Sequence, residues 1–208
     1  MTSQTRTRAT HPRQTPRRID HRRWRVAAPI LVGLAAAAIV FTIANATQNR
    51  DSLATGMAPS FTLPTSDGGS VSLEALHGHP VLLYFSEGVG CDSCFAQLAD
   101  IETSASAFDR LGVRVVPIMV NPASDVVPAA AGFGLTTPIA LDTAKTVSSE
   151  YGVLGTGMHA GLPGHSFILV DSKGTIAWEK NFPSMYVSSA DLVKTIAAQL
   201  ARTEQPAV

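Results

Sequence analysis

The chain is predicted to be an α/β protein, a central mixed sheet flanked by helices, preceded by one N-terminal transmembrane helix. Three observations predict this. Strand-like and helix-like segments alternate after residue 58, the apolar run of residues 27–46 carries no charge, and both cysteines sit where one apolar strand gives way to a helix. With 45% hydrophobic and 15% charged residues in 208, the chain has ample apolar content for one core plus appendages.

Residues 1–25 form a basic tail with eight arginines against one acid, Asp20. The run at 26–46 is long enough to cross a hydrocarbon core of about 30 Å as a helix. Beyond it, eight basic residues face fifteen acidic ones, so the net charge of zero conceals a division. The positive-inside rule then keeps the N-terminus cytoplasmic and exports the acidic body, giving a single-pass cell-membrane protein with an extracytoplasmic C-terminal domain. Ala44-Asn45-Ala46 has the small-x-small form of a signal-peptidase site, so release after cleavage is the alternative to a retained anchor. Because the basic tail directly precedes an apolar span, it is read as a topology signal and no nucleic-acid partner is expected.

Residues 47–57 read as a polar linker, 58–202 as the folded domain and 203–208 as a tail. The domain opens with the alternating segment Pro59-Ser60-Phe61-Thr62-Leu63-Pro64, a turn at Asp67-Gly68-Gly69, then Val71-Ser72-Leu73. The uninterrupted apolar run Val81-Leu82-Leu83-Tyr84-Phe85 predicts the buried central strand. Gly88 and Gly90 punctuate the turn that follows it. A single helix is expected from Cys91 to Leu111, with Phe95, Leu98, Ile101, Ala105 and Phe108 on the packed face and Asp100, Glu102 and Asp109 in water. A strand over 113–120, a helix over 124–133, a short strand over 138–141 and a helix over 144–151 follow. Segments 166–171 and 175–180 flank Ser172-Lys173-Gly174 as a hairpin, and 190–202 is a closing amphipathic helix.

Chemistry concentrates at Cys91-Asp92-Ser93-Cys94. A cysteine at a helix N-terminus faces unpaired N–H groups and the positive end of the helix dipole, which favour the reactive thiolate. A second sulfur one turn on is placed to attack a mixed disulfide formed on the first. Asp92 beside Cys91 works against the thiolate, which predicts a less oxidising couple than a basic neighbour would give. Two cysteines and a loop histidine leave a zinc site short of its ligands, so neither metal nor cofactor is expected. Glu87 reads first as a solvated turn carboxylate, with a proton relay near Cys94 as the alternative, and Met119, Met158 and Met185 read as packing residues.

The Ala58-to-Leu63 opening, Val71-Ser72-Leu73, Gly78-His79-Pro80-Val81-Leu82-Leu83, the Cys-x-x-Cys turn and the Phe167-to-Gly174 segment together resemble the redoxin branch of the thioredoxin superfamily. That branch holds the alkyl hydroperoxide reductase/thiol-specific antioxidant proteins and membrane-anchored thioredoxin-like proteins. The resemblance implies a thioredoxin-like fold, with Cys91 attacking and Cys94 resolving. It also implies a loop facing the cysteines before a core strand, often with a cis-proline. The family interval back from Asp171 lands on His165, and the nearest proline is Pro163, so both are candidate site residues.

The function expected from this is an extracytoplasmic thiol–disulfide oxidoreductase acting on protein thiols or disulfides, with an unidentified electron donor. One alternative is a thiol-dependent, peroxiredoxin-like peroxidase with peroxide as substrate. Peroxiredoxins, however, usually carry Thr or Ser three residues before the reactive cysteine and Pro seven before, where this chain has Gly88 and Tyr84. The other alternative is a copper-binding assembly factor of the Sco type, which also pairs two cysteines with a histidine such as His165, although its cysteines are normally separated by three residues.

Overall fold

The computed structural model describes residues 56–203. Its elements run β1 (Thr62–Pro64), β2 (Ser70–Ser72), a 3-10 turn (Glu74–Leu76), β3 (Val81–Phe85), α1 (Asp92–Thr103), α2 (Ala105–Arg110) and β4 (Arg114–Met119). Then come α3 (Ala123–Gly132), β5 (Ala140–Leu141), α4 (Thr146–Glu150), β6 (Ser166–Val170), β7 (Ile176–Asn181) and α5 (Ser189–Thr203). The predicted span at 26–46 lies outside the described residues, and no helix among the described residues is long and apolar enough to cross a membrane.

The main sheet has the order β5-β4-β3-β6-β7. β3 pairs parallel with β4 and antiparallel with β6, and β4 pairs parallel with β5, so the sheet is mixed as predicted. β1 and β2 form a separate antiparallel hairpin. All five residues of β3 are buried because both faces of the sheet are covered. Successive strand side chains point to opposite faces, so β3 feeds two cores. Leu82 and Tyr84 pack with Phe95, Leu98 and Ile101 of α1 and Leu192 and Ile196 of α5. Val81, Leu83 and Phe85 pack with Phe61, Leu73 and Tyr151.

Three expectations need correction. The helix expected from 91 to 111 breaks at Ser104, which ends α1 and starts α2. Thr103 Oγ1 donates to Ala99 O at 2.9 Å, and a hydroxyl bonding back to the preceding turn bends a helix and competes with its ladder. Asp100 and Glu102 are not merely solvated. Asp100 Oδ2 accepts from Tyr186 Oη at 3.0 Å and from Ser189 N at 2.8 Å, joining α1 to the start of α5. Glu102 accepts from the backbone N–H groups of Thr136 and Thr137. Finally, Met158 is 73% exposed and packs no core, whereas Met119 and Met185 are buried.

Candidate active site

The site begins where β3 ends. Gly88 and Gly90 take φ of +80° and +98°, a left-handed backbone closed to most side chains, and this carries the chain sharply from the strand into α1. Gly88 is doubly constrained, because a Cβ there would strike Asn121 Oδ1. That carboxamide is already engaged, accepting from Val89 N–H at 3.0 Å. The absence of a threonine or serine at position 88 therefore has a structural cause: the turn has room only for glycine.

Cys91 is the N-cap residue of α1 and Cys94 lies in its first turn. The two are joined as a disulfide, with Cα atoms 5.3 Å apart. Their surroundings differ. Cys91 is partly exposed, whereas Cys94 is fully buried because its position on α1 turns it toward the sheet.

Around Cys94 the fold assembles a closed polar cluster. His165, immediately before β6, is fully buried, and its Nδ1 lies 4.0 Å from Cys94 Sγ and 3.2 Å from Tyr84 Oη. Tyr84 Oη also lies 3.2 Å from Cys94 O, so its single hydrogen serves either that carbonyl or His165 Nδ1, and its ring stacks on Phe167 with centroids 4.6 Å apart. Gln97, one turn beyond Cys94 on α1, approaches His165 Nε2 with Oε1 at 3.3 Å and accepts from Val187 N–H with the same atom at 2.8 Å. Burial lowers the His165 pKa to about 4, a shift that the negative field of Glu87 partly opposes. Burial likewise pushes the Tyr84 hydroxyl well above its ordinary range. Both groups are thus neutral at physiological pH.

Of the predicted site residues, the structure brings Cys91, Cys94 and His165 together, with one revision: the histidine lies against the buried Cys94 rather than beside Cys91. Pro163 is buried in the same loop, where it forms an isolated β-bridge with Leu154, and no cis peptide occurs among the described residues. The described residues contain no group of three or more histidine, cysteine and carboxylate side chains arranged for a metal ion.

Tyr84, Gln97 and Asn121 were not singled out as site residues by the sequence, and Glu87 was placed first in solvent. Gln97 and Asn121 carry neither charge nor motif. Glu87, expected in solvent, is 3% exposed; it accepts from Met158 N–H at 3.0 Å and pairs with His159 Nδ1 at 2.9 Å. The signal available for Glu87 was its place two residues past a wholly apolar strand, where the chain is still inside the protein.

The alkyl hydroperoxide reductase/thiol-specific antioxidant (AhpC/TSA) family model matches residues 55–179, more than half of the chain. The chain belongs to the AhpC/TSA family. Chloroplastic peroxiredoxin Q of Triticum aestivum is 29% identical over 159 residues, 72% of either chain. Other peroxiredoxin relatives align over 54% to 62% of their own length. Among solved structures, the reduced 2-Cys peroxiredoxin of Plasmodium vivax superposes with a TM-score of 0.65 at 20% identity, covering 74% of this chain and 99% of that one; this likeness shows the thioredoxin-like fold. A Bacteroides thetaiotaomicron protein provisionally assigned as a disulfide isomerase superposes with a TM-score of 0.55 at 26% identity, covering 70% and 88%. As an AhpC/TSA protein the chain is a thiol-based oxidoreductase. Its relatives weigh for the peroxide-reducing alternative ahead of the disulfide-exchange function expected first.

Proposed function

We propose that this AhpC/TSA protein is a thiol-dependent peroxidase in which Cys91 reacts with peroxide and Cys94 closes the catalytic disulfide. The observation that carries the reading is the disulfide between a partly exposed helix-cap cysteine and a buried one, in a chain whose relatives are peroxiredoxins. In the first step the Cys91 thiolate attacks a peroxide oxygen. The O–O bond breaks, an S–O bond forms, and the departing alkoxide or hydroxide takes a proton. Cys94 then displaces the hydroxyl of the Cys91 sulfenic acid as water, forming the disulfide. An external thiol or dithiol donor restores both thiols by exchange.

The unpaired N–H groups at the start of α1 stabilise the thiolate and the charge that develops on the peroxide oxygen. Gly88 supplies no hydroxyl to hold the peroxide, and Tyr84 directs its own hydroxyl inward, so turnover in this reading is slow for a thiol peroxidase.

The same two features favour a second reading, dithiol–disulfide exchange with a protein substrate, which needs no peroxide-binding hydroxyl. Mixing the reduced protein with micromolar hydroperoxide, and separately with a reducible protein disulfide, discriminates them. Loss of both thiols to peroxide within seconds to minutes is the expected result. Indifference to peroxide combined with rapid reduction of the protein disulfide replaces the first reading with the second.

We further propose that the domain works outside the cytoplasm on a membrane anchor, supported by the charge division around residues 26–46. Such a compartment lets the disulfide persist. Protease accessibility of the domain in intact cells tests the orientation.

A further inference from the structure

We propose that Gln97 is a positioning residue: it holds His165 in the tautomer whose bare Nδ1 faces Cys94, so that the imidazole receives the proton of the resolving thiol. The inference rests on the reading of Cys94 as the resolving cysteine.

The tautomer follows from one backbone contact. Val187 N–H can only donate, so the Gln97 atom 2.8 Å from it must be the carboxamide oxygen. That same oxygen is what His165 Nε2 meets at 3.3 Å, so Nε2 must carry a hydrogen. A neutral imidazole has only one, which leaves Nδ1 as a lone pair 4.0 Å from Cys94 Sγ; the single hydrogen of Tyr84 Oη, 3.2 Å from both Nδ1 and Cys94 O, is then given to Nδ1. Burial keeps the ring neutral. The ionisable or polar groups that face the ring are Tyr84 from β3, Cys94 and Gln97 from α1, and more distantly Glu87; none is a fixed positive charge.

Opening the disulfide gives Cys94 a proton or a charge, and a thiolate on a fully buried sulfur with no cation beside it is strongly disfavoured. Cys94 is therefore a thiol in the reduced protein, with its hydrogen toward Nδ1. When its sulfur attacks the Cys91 sulfenic acid, the S–S bond forms as the S–O bond breaks. The Cys94 proton passes to Nδ1, the transient imidazolium keeps its Nε2–H on Gln97 Oε1, and the proton then leaves with the departing hydroxide as water. No outside oxidant is required.

Gln97 also carries a cost. Its Nε2 is buried with no hydrogen-bond partner, a penalty an apolar residue would avoid, so the carboxamide is explained by what its oxygen accepts.

The test uses the full chain. Cys91 is oxidised with one equivalent of hydroperoxide, and disulfide closure is timed against Cys91 oxidation in the same sample. Histidine nitrogen chemical shifts report the tautomer. Gln97→Leu is expected to slow closure about tenfold relative to oxidation, less than the roughly hundredfold or more that a general base itself contributes because Gln97 only positions it, and to move the His165 proton off Nε2. Gln97→Glu, which keeps an acceptor for both Val187 N–H and Nε2–H, is expected to retain the tautomer and close within about threefold of the parent rate. The proposal is overturned if Gln97→Leu leaves tautomer and rate ratio unchanged, or if Gln97→Glu behaves like Gln97→Leu. Should Cys91 not react with peroxide, the same closure is timed on the mixed disulfide that Cys91 forms with an aromatic disulfide, where Cys94 releases the coloured thiolate. Failure of the peroxidase reading is thereby kept apart from failure of this one.

Discussion

Cys91 and Cys94 are three residues apart yet occupy different media. Cys91 caps α1 beside a glycine turn and is partly exposed to solvent. Cys94 lies wholly inside, against a tyrosine and a histidine in contact with each other and a glutamine whose oxygen meets the histidine. The contrast teaches that the two chemical roles need no sequence distance between them. One helical turn suffices to put one sulfur where a substrate can reach it and the other where only a neutral imidazole can.

The sharpest way to break this comparison is to remove each sulfur in turn. Cys91→Ser is expected to lower peroxide turnover by about three orders of magnitude or more, because the remaining thiol, Cys94, is buried. Cys94→Ser should still let Cys91 oxidise but strand it as a sulfenic acid, detected as a trapped adduct by mass spectrometry. Equal phenotypes in both assays would refute the division of labour.

A second effect lies in the pH dependence of stability. Unfolded His165 takes a proton near pH 6.5, whereas in the folded protein it does so only near pH 4. Between those values the unfolded state binds the extra proton. Stability should therefore decline as pH falls from 6.5 toward 4, by about 1 kcal/mol per pH unit from this group. Urea unfolding across that window measures the slope, and His165→Asn should flatten it. An unchanged slope in the variant would mean that the imidazole is not buried in the way described.

The third expectation concerns the exposed side. Gly88→Thr restores a hydroxyl at the position where peroxiredoxins usually carry one, but it forces a β-branched residue into a left-handed turn against Asn121. A loss of about 2 kcal/mol in chemical denaturation is expected, with no gain in the rate of Cys91 oxidation. A faster, equally stable variant would show that the turn tolerates the hydroxyl after all.

Much of this was legible before any coordinates. The run from Val81 to Phe85 declared a doubly buried strand, and the interval from Asp171 led to His165. What escaped were properties set by rotation and tertiary contact. Which sulfur turns inward depends on how α1 packs against β3 and α5, and periodicity had already put Phe95, Leu98 and Ile101 on that face without extending the inference to Cys94 and Gln97. Glu87 and Glu102 look like ordinary surface carboxylates until the loops they grip at 158–159 and 136–137 fold against them. The break at Ser104 was foreshadowed by Thr103-Ser104, a pair whose hydroxyls compete with the helix ladder.

The way the domain begins has a consequence of its own. Ala58 N–H donates to Gly174 O at 2.8 Å and Met57 bridges Thr175, which pins the incoming chain to the β6–β7 turn. Because Val81 pairs with Val170 and Phe85 with Ser166, that turn lies at the opposite pole of the sheet from the cysteines. The entry point at Gly56 and the reactive mouth at Cys91 thus stand at opposite ends of one strand pair, so a change at Thr175 reaches the disulfide only through the length of the sheet.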